Sequence, residues 1–178
     1  MIELSVINTK RLVIEPVELS HVEGFHKMQS DENMYRFVAE DALSFDEIKE
    51  KLEGMIPRVS PDNPSMDWLN WCVFNQESDL IGHIEVAIFD KEEAVMAFMF
   101  NSNFWGKGYA LESCKAVIKE IKKKCPKVKT IELEIDTLNE SSLKLAEKLG
   151  FSKIKVNKEV QEVKGRMSDE AVFTLPLS

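Results

Sequence analysis

Between Ala94 and Asp136 the hydrophobic period changes twice, and this restricts the fold more than any other stretch of the 178-residue chain. Ala94 to Phe100 is aliphatic and aromatic, as a strand requires. From Gly108 the apolar residues recur helically, with Ala110, Cys114, Val117, Ile118 and Ile121 on one face, until Pro126 closes the helix. Val128 to Asp136 then alternates Ile131, Leu133 and Ile135 with Glu132, Glu134 and Asp136. A strand, helix, strand unit returns to its sheet by a right-handed crossover, so at least one strand pair must be parallel.

Everything around that unit reads as antiparallel or helical. Lys10 to Glu15 is a first strand stopped by Pro16. Ser20 is placed to cap a helix whose apolar face is Val22, Phe25 and Met28. Ser44-Phe45-Asp46-Glu47 has capping-box order, and Ile48, Leu52 and Met55 follow as a stripe ending by Pro57. Ser60 to Ser65 is rich in turn residues and reads as an exposed loop. Trp68 to Phe74, Leu80 to Phe89 and Ala94 to Phe100 form a meander, with turns at Asn75 to Asp79 and Asp90 to Glu92. A helix from Asn139 to Leu149 ends at Gly150, and two strands follow near Phe151 to Asn157 and Glu170 to Leu175. The expected fold class is α/β (α+β): a mixed, mostly antiparallel sheet flanked by helices, in a single domain over residues 1–178.

With 31 acidic and 23 basic side chains the net charge is -8, which opposes docking on nucleic acid or an anionic membrane and favours a cationic partner. The three cysteines, Cys72, Cys114 and Cys125, form no C-x-x-C pair and suit reduced thiols in a cytoplasmic protein. The beginning of the chain lacks a secretory pattern, and no run approaches the roughly 20 apolar residues of a membrane span. His21, His26 and His83 lack metal-ligand spacing, so no metal is expected.

The densest local signal is Phe104-Trp105-Gly106-Lys107-Gly108-Tyr109-Ala110, after a strand and opening a helix. Glycines at a helix N-terminus let backbone N–H groups and the positive dipole end approach a phosphate. Taken alone, the same glycines serve equally well in a turn that needs positive φ. Lys107 is followed by Gly108 rather than Ser or Thr, which excludes a P-loop, and Leu111 stands where a dinucleotide fingerprint needs its third glycine.

Thr9-Lys10-Arg11-Leu12, Ile81-Gly82-His83-Ile84, the Trp105 to Ala110 loop and Asn139-Glu140-Ser141-Ser142-Leu143-Lys144-Leu145-Ala146-Glu147-Lys148-Leu149-Gly150-Phe151 occur here in an order that resembles the GNAT superfamily of acetyl-CoA-dependent N-acetyltransferases. The closest resemblance is to the branch that acetylates protein N-termini, the ribosomal-protein alanine acetyltransferase-like group. The resemblance implies acetyl-CoA as co-substrate. It places the CoA pyrophosphate on Trp105, Gly106, Lys107, Gly108, Tyr109 and Ala110, the pantetheine arm along Met99 and Phe100, and a further contact on Asn139. Many members carry a tyrosine seven residues after that asparagine as the acid that protonates the departing thiolate; here the position is Ala146. In the similar branch a serine takes the role, which falls on Ser142.

The chemistry needs a neutral amine, an oxyanion donor and a proton for the thiolate. A protein α-amine titrates near 7.7 to 8.0, against about 10.4 for lysine, so a modest base suffices. His83 and Glu85 share a sheet face and are the candidates to relay that proton, and strand N–H groups near Met99 and Phe100 are the candidate oxyanion donors. Asp136 and Glu134 are expected beside the acceptor entrance. Cys114 lacks a His or Asp partner in sequence, which argues against an acyl-enzyme nucleophile. The expected acceptor is a protein or peptide N-terminus, taken by a monomer or homodimer. The alternatives are a small amine such as an aminoglycoside or polyamine, or acyl-CoA sensing without turnover.

Overall fold

The computed structural model describes residues 2–177. One eight-stranded sheet organises the chain, its strands being β1 (Ile7–Asn8), β2 (Val13–Pro16), β3 (Asp67–Phe74), β4 (Leu80–Phe89), β5 (Glu93–Phe100), β6 (Thr130–Asp136), β7 (Ser152–Val163) and β8 (Arg166–Pro176). Their spatial order is β1-β2-β3-β4-β5-β6-β8-β7. Among the described residues only β5 and β6 pair in parallel, and α3 (Tyr109–Lys124) makes the crossover between them. The other helices are α1 (Val22–Gln29), α2 (Phe45–Met55) and α4 (Glu140–Leu149). No helix among the described residues is long and apolar enough to cross a membrane.

Strand alternation divides the core in two. On one face Leu69, Trp71, Ile84, Val86 and Met96 pack with Cys114, Val117 and Ile121 of α3 and Ala146 and Leu149 of α4. On the other face Cys72 meets Phe25 and Met28 of α1 and Ile48, Leu52 and Met55 of α2. Period-two alternation then assigns Asn70, His83 and Glu85 to the α1 and α2 face, and this is the face that becomes polar.

Two expectations need correction, and one strand is added. Ser20 caps no α-helix: it lies inside a short 3-10 turn, Leu19–His21, whose N-cap is Glu18, and His21 precedes α1. The stub Ile7–Asn8 adds an edge strand that two residues could not announce. The final hairpin is much longer than its apolar residues suggested, reaching Val163 and restarting at Arg166 around Lys164 (φ 48°) and Gly165 (φ 81°). Its outer half is exposed and charged, so no core pattern marks it. By contrast, the Ser44–Glu47 capping box forms as read, and Gly150 closes α4 at φ 92°.

Candidate functional site

The parallel pairing of β5 and β6 lasts three residues, Glu93 with Thr130, Ala94 with Ile131 and Val95 with Glu132, and then the strands part. β5 stays paired to β4 as far as Phe100, and β6 to β8 as far as Asp136. The separation opens a cleft of about 280 Å³, walled by Met96 to Met99 on one side and Leu133 to Asp136 on the other. Its remaining walls bring in Gln29, Tyr35, His83, Glu85, Lys51, Asn139 and Ser142, with Glu40 and Asp41 from the chain before α2.

The cleft is acidic. Burial raises the Glu85 carboxyl above its ordinary range, opposed by Lys51 and the Trp68 indole and reinforced by Glu40. Glu134 is likewise raised by burial, with Glu170 and Glu132 adding repulsion. His83 is driven the other way, to about 3, by burial and by Lys51, so its imidazole stays neutral. Its Nε2 lies 3.1 Å from Asn70 Oδ1, and Asn70 Nδ2 donates to the Trp68 carbonyl, which makes Nε2 the protonated nitrogen of His83. Phe25 packs edge-on against the ring.

At the far end of β5 lies the glycine loop. Gly106 (φ 73°) and Gly108 (φ 79°) turn the chain into α3, and among the described residues the N–H groups of residues 106–108 have no hydrogen-bond partner. The first turn of α3 adds its own free donors. Arg11 explains the motif near the beginning of the chain: its Nη1 donates to the Lys107 carbonyl at 2.8 Å, its Nε meets Glu112 Oε2 at 2.7 Å, and its guanidinium stacks over Tyr109. Thr9 Oγ1 donates to the same Glu112 at 2.7 Å. The loop is therefore braced through the Lys107 carbonyl while its own N–H donors stay unpaired, an arrangement that fits an anionic group such as a pyrophosphate.

The sequence candidates separate into two places. His83, Glu85, Met99, Asn139 and Ser142 meet in the cleft, whereas Trp105, Gly106, Lys107, Gly108, Tyr109 and Ala110 lie beyond it at the start of α3. Phe100 belongs to neither: its ring is core, covering Gly82, and its carbonyl accepts the Trp105 indole at 2.6 Å. Asn139 is the N-cap of α4, its Oδ1 accepting from the Ser142 N–H at 3.2 Å and from Ser141 Oγ at 3.0 Å. Its amide nitrogen and the Ser142 hydroxyl have no partner among the described residues, so neither is spent on the helix. Ala146 is fully buried in the larger core and lines no part of the cleft.

The expectation for Asp136 is corrected. The residue lines the cleft, but its side chain is only 2% exposed and accepts from Arg166 at 2.5 Å and Ser168 at 2.7 Å. Burial alone would raise this carboxyl; the Leu138 N–H, Ser168 and Arg166 together hold it below the usual range. Of the two acids that β6 brings to the cleft wall, Glu134 is the one whose carboxylate is left open. Cys72, Cys114 and Cys125 are free and buried, and burial raises all three thiols. Nothing in the sequence marks Gln29, Tyr35 and Lys51 as cleft residues: the first two sit where helical periodicity stops, and a lysine outside an apolar stripe reads as solvent-facing.

A cleft opened between two parting strands holds a raised carboxyl and a neutral imidazole and lies next to a braced loop of unpaired N–H groups, the layout of a site that takes an anionic ligand beside a proton-accepting group. The model of the acetyltransferase (GNAT) domain matches residues 11–152, and the chain belongs to this family. It is an acetyl-CoA-dependent N-acetyltransferase. The uncharacterized N-acetyltransferase p20 of Bacillus licheniformis is 23% identical over 175 residues, 97% of this chain and 96% of that protein. The uncharacterized N-acetyltransferase YnaD of Bacillus subtilis (strain 168) is 26% identical over 113 residues, and that match spans only 63% of this chain and 62% of YnaD. Among solved structures, a ribosomal-protein-S5-alanine acetyltransferase from Vibrio fischeri superposes with a TM-score of 0.85 at 15% identity, covering 98% of this chain and 97% of that one. A spermidine N-acetyltransferase from Vibrio cholerae, solved with CoA and spermine, gives 0.79 at 20% identity, covering 95% and 97%. At these identities the likeness is one of fold.

Proposed function

We propose that this chain, acting as one domain, acetylates the N-terminal amine of a peptide or protein by direct attack on the thioester of acetyl-CoA. The observation that carries the reading is Glu85, a half-buried carboxyl held above its ordinary range on the wall of the cleft where β5 and β6 part. A carboxyl raised above its ordinary range is a base better suited to an α-amine, which loses its proton near 7.7 to 8.0, than to a lysine-like amine. Glu85 takes the ammonium proton, with neutral His83 ordering the water between. Met99 borders the acyl arm, and N–H groups of β5 that point toward β6 beyond Val95 are freed to meet the oxyanion. Gly106, Gly108 and the Trp105 to Ala110 backbone hold the pyrophosphate, with the Lys107 carbonyl fixed by Arg11. The Asn139 amide nitrogen contacts the cofactor, and Ser142 delivers the proton to the thiolate.

The carboxylates of Glu40, Asp41 and Glu134 on the same walls also favour a second reading, a polyamine acceptor. Release of CoA thiol from acetyl-CoA, measured with N-terminal peptides and with small amines in parallel, decides between them. Turnover confined to peptides supports the proposal; turnover confined to polyamines or aminoglycosides replaces it; binding of acetyl-CoA with no thiol release on either panel leaves a sensor.

A further inference from the structure

The Lys107 carbonyl and the Gly108 N–H belong to one peptide group, and in a trans peptide they point to opposite sides of the chain. Arg11 Nη1 donates to that carbonyl at 2.8 Å, so the Gly108 N–H is aimed away from the guanidinium. It has no hydrogen-bond partner among the described residues. The next peptide is held by the helix itself, since the Gly108 carbonyl accepts from the Glu112 N–H at 3.1 Å.

The 107–108 peptide is the one that needs an outside hold. Turning it changes ψ of Lys107 and φ of Gly108, and glycine takes φ of either sign almost equally. The residue that lets the loop reach φ 79° therefore also lets it leave. Turned over, the same peptide would present a carbonyl where the donor stood, and a carbonyl repels an anion. Local backbone chemistry does not choose between the two states; the grip of Arg11 does.

That grip is itself locked. Arg11 Nε donates to Glu112 Oε2 at 2.7 Å, the Arg11 N–H and Thr9 Oγ1 donate to Glu112 Oε1 at 3.0 and 2.7 Å, and the guanidinium lies 4.7 Å over the Tyr109 ring. Burial alone would raise the Glu112 carboxyl; the Thr9 and Arg11 donors hold it below the ordinary range, so it stays charged. A carboxylate in the first turn of the helix that opens at the loop would repel a phosphate if left bare. Here both its oxygens are occupied, and its charge is balanced by Arg11.

We propose that Arg11, locked by Glu112, is a positioning residue of the cofactor site that sets which way the 107–108 peptide faces and so presents the Gly108 N–H to the pyrophosphate. This rests on the reading of the Trp105 to Ala110 loop as the pyrophosphate site and deepens it: the first strands of the chain, 101 residues before Glu112, select donors that carry a phosphate.

The test compares acetyl-CoA with S-acetylpantetheine, which keeps the thioester arm and lacks the pyrophosphate and nucleotide. The parent enzyme should favour acetyl-CoA by roughly 100-fold or more in kcat/KM. Arg11→Lys keeps the charge without the planar fork that reaches Glu112 and the Lys107 carbonyl together, and Glu112→Gln keeps the shape without the carboxylate. Each should cut the preference about tenfold, the loss falling on KM for acetyl-CoA rather than on kcat. The two side chains are 38% and 20% exposed, so neither substitution opens the core. A fall of the same size on both donors means that the pair only holds the fold, and an undiminished preference means that the peptide keeps its direction without it; either result overturns the proposal. A parent enzyme that treats the two donors alike overturns the pyrophosphate loop itself, a separate failure.

Discussion

Arg166 Nη2 lies 2.5 Å from Asp136 Oδ2, tying the turn end of the β7–β8 hairpin to the last residue of β6, where the chain leaves for α4. Ser168 donates to the same oxygen, and next to the hairpin's turn glycine Lys164 pairs with Asp41 and donates to the Glu40 carbonyl at 2.8 Å. The hairpin thus spans from one wall of the cleft to the other, holding the β6 end and the loop before α2 in fixed relation.

Arg166→Met should therefore destabilise the fold by about 1–3 kcal/mol at neutral pH, the cost of leaving a buried hydrogen-bonded carboxylate short of a partner. The pH dependence has a definite sign. A carboxyl held low in the folded state contributes stability that is full above its unfolded value near 3.9 and is lost as pH falls through the lower folded value. Urea unfolding at pH 7 and pH 3 checks this: the gap between parent and variant should be large at pH 7 and should narrow at pH 3.

Glu85→Gln should lower kcat/KM by about 100-fold or more, the usual worth of a positioned base. Because burial raises the Glu85 carboxyl, the parent rate should climb with pH through a limb above the ordinary carboxylate range, and that limb should vanish in the variant. His83, driven to about 3, cannot supply a limb near 6.5. A pH–rate profile of both proteins decides it, and an unchanged acid limb in Glu85→Gln would remove Glu85 from the proton path.

Gly108→Val should weaken acetyl-CoA binding by at least about 3 kcal/mol while the domain stays folded. Gly108 sits at φ 79°, where any side chain is strained, and the branched side chain would stand where bare backbone has to approach the pyrophosphate; a Cβ there meets Arg11 Nη2 only at contact distance, 3.4 Å, so the bracing of the Lys107 carbonyl through Arg11 Nη1 survives. Titration calorimetry with CoA reads the loss directly. Unaltered affinity in a folded variant would exclude the loop from the cofactor site.

Ser142→Ala separates the acid from the cap. The helix start is held by the Asn139 side chain accepting from the Ser142 N–H, a bond that alanine retains, so stability should change little. If Ser142 protonates the thiolate, kcat falls about 100-fold with the acetyl-CoA dissociation constant unaltered, because the group acts only as charge develops. A kcat within about twofold of the parent would assign the proton to water.

Local chemistry determined much of this protein. Alternation in Thr130–Asp136 and the helical stripe of Cys114, Val117 and Ile121 dictated the parallel crossover; the Ser44 to Glu47 box and Gly150 set helix ends; and the glycines after Trp105 marked the positive-φ turn that opens α3. Each signal acts through neighbours a few residues apart, where period and backbone sterics leave few choices. Tertiary structure alone decided what meets in the cleft. Glu134 and Asp136 share one face of one strand, yet Glu134 keeps an open carboxylate and Asp136 is sealed by Arg166, thirty residues on, in a hairpin whose charged outer half carries no core pattern. Gln29 and Tyr35 lie where periodicity ends, and burial leaves Gln29 Oε1 and the Tyr35 hydroxyl without a protein partner among the described residues. The charge state of a carboxyl and the solitude of a buried hydroxyl are set by dielectric and by long-range neighbours, which no spacing along the chain records.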